Sequence, residues 1–157
     1  AKSFASYQEG DYTEAMGRAR EALRIAEKEF GPVHYTVAIS LNNIATLYIA
    51  QNKYIEAEPL YIQSIKVQER ALGRNHPNIA MSHANLAKLY SYQEKYEKAE
   101  FHYIQALAIY EESIGPDHPD TANILKEMAT LYMHMGNKNK ARSYILRAQG
   151  NFDITVY

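Results

Sequence analysis

Cysteine and tryptophan are absent from this chain of 157 residues, and glycine and proline are scarce, with seven and five residues. The absence of cysteine excludes disulfide bonds and thiolate zinc sites. It is also compatible with a reducing compartment, and we expect a cytoplasmic location. Because few residues interrupt helices and fourteen tyrosines supply amphipathic aromatic rings, the composition is typical of a helical protein.

Neither charge is in excess, since seventeen lysines and arginines face eighteen aspartates and glutamates, for a net charge of −1. A nucleic-acid partner is therefore not expected, because it would need clustered excess cations. Long apolar runs are also missing, none approaching the roughly 18 residues of a membrane span, so we expect no membrane insertion. A line of cations among glutamates permits two interpretations, a nucleic-acid stripe or, favoured here, a solvated face with local ion pairs. These cations are Arg18, Arg20, Arg24 and Lys28.

The frame Gly-x-x-His-Pro occurs twice, in GRNHPN and in GPDHPD, and its histidines are 42 residues apart. A shift of 42 lays residues 37–78 over 79–120 without a gap, which indicates an internal repeat. We predict one array over 1–157, with repeats at 1–36 (partial), 37–78, 79–120 and 121–157, the last with a degenerate C-terminal helix. Identities between the two central repeats include Ala38/Ala80, Asn43/Asn85, Ala45/Ala87, Tyr48/Tyr90, Tyr61/Tyr103, Gly73/Gly115, His76/His118 and Pro77/Pro119.

Apolar residues within a repeat follow the i, i+3, i+4, i+7 spacing of a helix, first from Leu41 to Tyr48 and again from Tyr54 to Ile65. Each repeat is thus predicted to be two antiparallel helices, with a tight turn at residues 51–53. Recurrent alanines in both helices predict close helix contacts. At the turn, Glu94 stands where other repeats have asparagine or glycine, so we expect either backbone strain or a different turn there.

The segments LNNIATLY, YIEAEPLY and GPDHPD resemble tetratricopeptide repeats, in the 42-residue subclass found in kinesin light chains and many bacterial proteins. This resemblance covers essentially the whole chain. It implies an all-α, right-handed α-α superhelix, a solenoid of about four helix-turn-helix repeats with the first truncated. It also implies a concave groove, lined by the first helix of each repeat, that commonly binds a peptide or a partner helix.

Carrying the family's inward-facing positions over to this sequence implies a set of peptide-binding residues. The amides of Asn43 and Asn85 can hold a peptide backbone, but they can equally bridge helices within the scaffold, and both interpretations stay open. Methionine and tyrosine offer apolar contacts, and the lysines attract acidic side chains. The set is Asn42, Asn43, Thr46, Ile49, Met81, Asn85, Lys88, Tyr92, Asn123, Lys126 and Met133, with Phe4, Tyr7 and Gln8 in the first repeat.

No motif for phosphate binding, acyl transfer or metal-dependent hydrolysis is present, so we expect neither an enzyme nor a cofactor. His34, His76 and His118 recur once per repeat, and a step of roughly 10 Å between packed helices is too long for shared metal ligation. We expect these histidines to lie at helix N-caps, and Gly31, Gly73 and Gly115 to end helices in the left-handed conformation.

The predicted function is a noncatalytic scaffold that binds a peptide or helical segment of a partner protein in the groove. The alternative is a self-association module of a larger signalling or transport protein. Because the chain begins inside a repeat, either a piece of a longer array or an engineered chain is expected. Residues 138–157 are predicted to be a final helix and a tail whose apolar residues fold back or contact a neighbouring molecule.

Overall fold

A computed structural model of the protein describes residues 10–150. Within this range the chain forms seven α-helices and no strand, which confirms the predicted all-α class. Helices α2, α4 and α6 start 42 residues apart, at the period of the sequence, while the boundaries of the repeats stay a prediction. In chain order the helices are α1 (Gly10–Phe30), α2 (Tyr35–Ala50), α3 (Tyr54–Leu72), α4 (Pro77–Tyr92), α5 (Tyr96–Ser113), α6 (Pro119–His134) and α7 (Lys138–Ala148).

The first compact unit of the chain extends to Arg74 and contains helices α1 to α3. Helix α2 packs against both of the others. Its buried side contributes Val37 and Leu41 to a cluster that also contains Ala26 of α1 and Val67 of α3. The helical spacing of apolar residues therefore buries one side of α2 and leaves the opposite side exposed.

The second compact unit begins at Asn75 and contains helices α4 to α7, each packed against the next. Most of its large, fully buried side chains come from α4 and α6. Because these residues follow the helical period, both helices also keep an exposed side. The buried residues include Ile79, Leu86, Leu89, Leu125, Met128, Leu131 and Tyr132.

An alanine recurs at two positions of each repeat, and these alanines are almost completely buried. A methyl group lets two helix backbones approach closely, so the predicted close contacts are confirmed. Ala15 of α1, at an equivalent position, is half-buried. The buried alanines are Ala45, Ala87 and Ala129 in the first helices and Ala57, Ala99 and Ala141 in the second.

The junctions between repeats confirm the predicted caps and correct one detail. Nδ1 of His34, His76 and His118 accepts the amide N–H two residues further on, at 3.3, 3.2 and 3.1 Å, so each histidine is itself the N-cap. Gly31, Gly73 and Gly115 all have positive φ angles, as expected. The prediction of a left-handed helical residue was wrong for Gly73, whose ψ of 159° with φ of 82° is an extended conformation open essentially to glycine alone.

The last helix of the described chain is α7, with 11 residues, which is shorter than the other second helices α3 and α5. Of the helices in residues 10–150, none combines the length and the apolar character that crossing a bilayer requires. The predictions for Phe4, Tyr7, Gln8 and the C-terminal tail lie outside the described residues.

Candidate functional site

Helix α4 presents a mixed polar and apolar stripe on its exposed side. Met81, Asn85, Lys88 and Tyr92 are spaced i, i+4, i+7 and i+11, so they share one side of the helix. The side chains of Met81 and Tyr92 are 52% and 53% exposed, while Asn85 is half-buried. These four predicted residues therefore lie together on a surface that a partner can reach.

Helix α6 presents a similar stripe beside that of α4. Asn123, Lys126 and Met133 are exposed. Lys88 of α4 forms an ion pair with Glu127 of α6 at 3.1 Å, which places the two stripes side by side. The predicted residues of the two helices thus form one surface, the α4–α6 face, which comprises Met81, Asn85, Lys88, Tyr92, Asn123, Lys126 and Met133.

A polar network lies within the α4–α6 face and joins Glu127 of α6 to Tyr103 of α5, which the predicted site omitted. Tyr103 is buried, and its hydroxyl interacts with Glu127 and with Ser91. Burial, followed by the nearby Glu127 carboxylate, raises the pKa of Tyr103, so the phenol stays protonated and can donate a hydrogen bond. The same Glu127 carboxylate pairs with Lys88, so Lys88 already has a carboxylate partner within the protein.

The α2 face of the first unit comprises the predicted residues Asn42, Asn43, Thr46 and Ile49. Asn43 and Thr46 are exposed, and Asn42 and Ile49 are half-buried. Thr46 Oγ1 donates to the carbonyl oxygen of Asn42 at 2.9 Å and lies 3.3 Å from the hydroxyl of Tyr61. The hydroxyl of Thr46 therefore already serves the scaffold.

Three of the predicted amides differ from the asparagines at the helix turns. Within residues 10–150, the side chains of Asn43, Asn85 and Asn123 form no hydrogen bond. By contrast, Asn137 caps α7 by accepting the amide N–H of Lys140 at 3.1 Å. The exposed stripes therefore carry amide groups whose donors and acceptors are available to a ligand.

Two other kinds of site were considered from the sequence, a metal site and a stripe of cations on α1. No group of three or more histidine, aspartate or glutamate side chains in the described range is arranged to hold a metal ion. On α1, Arg18 pairs with Glu14 and Arg24 pairs with Glu21, each at 2.6 Å. Arg20 donates to the hydroxyl of Tyr48 at 2.9 Å. Arg18 and Arg24 thus form the local ion pairs favoured by the sequence, whereas Arg20 contacts α2.

Comparison with solved structures shows the fold that this chain shares. BtubC (BKLC) from P. vanneervenii superposes with a TM-score of 0.82 and 24% sequence identity, over 90% of this chain and 57% of that chain. This chain therefore spans little more than half the length of that protein. Two structures of a Podosopora anserina protein, described as a kinesin light chain with nearly identical TPR-like repeats, both superpose with a TM-score of 0.76. The first has 23% sequence identity and the second 22%, and both superpositions cover 94% of this chain. They cover 71% and 72%, respectively, of the Podosopora anserina chain.

Sequence comparison identifies the family. Among curated proteins, the search finds no significant match. The tetratricopeptide repeat profile, however, matches residues 3–67, 36–112 and 102–153. These matches cover far more than half of the chain, and they agree with the paired helices and the 42-residue period. The chain therefore belongs to the tetratricopeptide repeat family, as its resemblance had indicated.

Proposed function

We propose that this protein is a noncatalytic scaffold that binds a peptide or helical segment of a partner protein, with the α2 face of the first unit and the α4–α6 face of the second unit as two separate candidate surfaces. Tetratricopeptide repeats generally act in protein–protein interaction, and proteins of this family are typically noncatalytic. The observation that carries the proposal is the set of three amides, on Asn43, Asn85 and Asn123, that the scaffold does not use. An amide that bridged helices would instead be hydrogen-bonded within the protein.

The chemistry of the α4–α6 face supports an extended segment with apolar side chains as its ligand. An amide can donate to and accept from a peptide backbone at the same time, contributing about 0.5–1.5 kcal/mol per hydrogen bond. The half-exposed side chains of Met81, Tyr92 and Met133 (51% exposed) offer apolar area to bury, and methionine adapts its shape to the ligand. Lys126, whose ammonium group has no partner among the described residues, favours an acidic side chain nearby.

The test is a double variant, Asn43→Ala with Asn85→Ala, compared with wild type. Partners are first isolated by affinity purification with the wild-type chain, and binding of each purified partner is then measured by titration calorimetry. We expect the double variant to bind about 5- to 150-fold more weakly, since each lost amide can form two hydrogen bonds to a peptide backbone. The melting temperature should stay nearly unchanged, because neither amide serves the scaffold.

The matched control is Gln63→Ala with Gln105→Ala. These amides are also one repeat apart, but they lie on the second helices α3 and α5, and they match the asparagines in burial, one exposed and one half-buried. The control should bind like wild type. Equal affinity of the asparagine variant and the control would contradict the assignment of these faces. A large fall in melting temperature of the asparagine variant would instead support a scaffold role for the two amides.

Self-association is a second candidate function, and one observation favours it. Phe101 and Ile104 lie on the same side of α5, outside the two proposed faces, and are 58% and 43% exposed. Such an apolar surface is suited to contact with another copy of the chain. The absence of nucleic-acid partners, the cytoplasmic location and the repeat boundaries stay predictions from the sequence.

A further inference from the structure

His83 of α4 and His102 of α5 form a hydrogen-bonded pair inside the second unit. Their Nδ1 atoms are 3.0 Å apart, and their rings are stacked with centroids 5.2 Å apart. His83 is buried and His102 is half-buried. At this distance one Nδ1 must carry a proton and donate it, while the other accepts.

The fold does not need histidine at these two positions. The equivalent residues in the preceding helix pair are Leu41 and Leu60, where Leu41 belongs to the apolar core and Leu60 packs against it. In the following pair they are Leu125, which is buried, and Tyr144, which is half-buried. Among the described repeats, only α4 and α5 thus replace an apolar contact by two titratable rings.

The pair tolerates protons differently from two free histidines. One extra proton can be carried on the half-buried His102, whose Nδ1–H then donates to His83. A second proton would set two N–H groups against each other and bring two positive charges together in a site with little water. Burial, and then the charge of His102, lower the pKa of His83 from 6.5 to about 4.

The groups around the pair do not offset this penalty. Tyr90 of α4 stacks on His102 with ring centroids 5.6 Å apart, and Lys98 of α5 lies 5.5 Å above the Tyr90 ring, so this side of the pair faces an aromatic ring that carries a cation. The carboxylate that α6 brings toward α5, Glu127, pairs with Lys88 and acts on Tyr103 instead. Within residues 10–150 no carboxylate contributes to the lowered pKa of His83.

We propose that the His83–His102 pair is an acid-sensitive contact that holds α4 and α5 together at neutral pH and loosens them as the pH falls. Because α4 carries Met81, Asn85, Lys88 and Tyr92, a further consequence, which rests on the proposed function, is that acidification weakens binding to the α4–α6 face. The loosening itself does not depend on that function.

The direction of the effect follows from proton linkage. Above about pH 6.5 His83 is neutral in both the folded and the unfolded chain, and the contact is fully stabilising. Between about pH 6.5 and pH 4 the unfolded chain takes up a proton that the folded chain refuses, so stability falls with falling pH. At pH 5 the unfolding equilibrium constant should rise on the order of 30-fold from this pair alone, and below about pH 4 the loss levels off.

The test compares wild type with the variant His83→Leu and His102→Leu, which recreates the leucine pair of α2 and α3. Urea unfolding is measured from pH 7 to pH 4. The cap histidines His34, His76 and His118 are present in both proteins, so their contribution cancels in the difference. We expect the midpoint of wild type to fall more steeply than that of the variant, and parallel curves would overturn the proposal.

Hydrogen exchange locates the effect within the chain. At pH 5, amides of α4 and α5 should exchange faster in wild type than in the leucine variant, while α2 and α3 should exchange alike in both. Acceleration spread evenly over all helices would contradict a local contact. If the leucine variant fails to fold, NMR titration of wild-type histidine rings decides the question, because ordinary titration near pH 6.5 by both His83 and His102 would also overturn it.

Discussion

Glu94 adopts a backbone conformation that its side chain disfavours. Its φ of 59° matches those of Asn52, at 58°, and Gly136, at 76°, which stand at the same position of the neighbouring repeats. Asparagine and glycine enter this left-handed region readily, whereas for most other L-residues it costs roughly 1–2 kcal/mol. The expected strain at Glu94 is thus confirmed, since the turn between α4 and α5 keeps the geometry of the others.

Replacing Glu94 by glycine should stabilise the protein. Removal of the Cβ relieves the left-handed penalty, and the greater freedom of glycine in the unfolded chain offsets part of that gain. We expect a net increase in the free energy of unfolding of up to about 1 kcal/mol, measured by urea denaturation. The control is Glu97→Gly, at an exposed residue within α5, which should destabilise because glycine is unfavourable inside a helix. A Glu94→Gly variant no more stable than wild type would show that the turn is not strained.

Helix α3 contains a proline in its interior that the equivalent helix α5 lacks. Pro59 lies two residues before Tyr61, well inside the range Tyr54–Leu72, and Phe101 occupies the equivalent position of α5. Proline has no N–H to donate to the carbonyl four residues earlier, and its ring crowds that carbonyl. Pro77, by contrast, lies at the first turn of α4, where the missing N–H has no helical partner to lose.

Pro59→Ala should therefore raise the free energy of unfolding, with an upper limit of about 3 kcal/mol for a proline inside a helix. The side chain of Pro59 is exposed, so no packing is lost. Pro77→Ala is the matched control. It should raise the free energy of unfolding by at most about 1 kcal/mol, or lower it slightly. Thermal unfolding followed by circular dichroism makes the comparison, and an equal effect of both substitutions would contradict the explanation.

The exposed apolar residues are distributed over both compact units, and only some of them belong to the proposed binding faces. Met81, Tyr92 and Met133 lie on the α4–α6 face, whereas Phe101 and Ile104 lie outside it. A scaffold for other proteins buries these exposed apolar residues against its partners. A self-association module buries them against its own copies, so the oligomeric state separates the two proposed functions.

For the whole molecule we expect a monomer in solution. Light scattering coupled to size-exclusion chromatography should yield a mass near 18.0 kDa across a wide range of protein concentrations. A mass that rises with concentration would support self-association instead. In that case Phe101→Ser with Ile104→Ser should restore the monomer, and the double variant Gln63→Ala and Gln105→Ala, on the second helices, serves as the control.

Much of the fold and part of the candidate site were predictable from residue order. The 42-residue period, the paired helices, the histidine caps and the turn at Glu94 depend on helical spacing and on backbone sterics within a few residues. Exposure of Met81, Tyr92 and Met133 agrees with the inward-facing positions that the family resemblance implied. The predicted conformation of Gly73 was wrong in one respect. A glycine at a helix end indicates a positive φ angle but does not determine the ψ angle.

The partners of polar side chains were decided only by the tertiary structure. Lys88 and Glu127 are on different helices, as are Tyr103 and Glu127, and Thr46 and Tyr61. The rotation and separation of packed helices determine which of these groups meet, and no local pattern reports either quantity. The sequence by itself thus determined the helices, the turns that join them and the sides they expose. The packing of those helices decided that Lys88 is already paired, that three amides stay available, and that His83 and His102 share one proton.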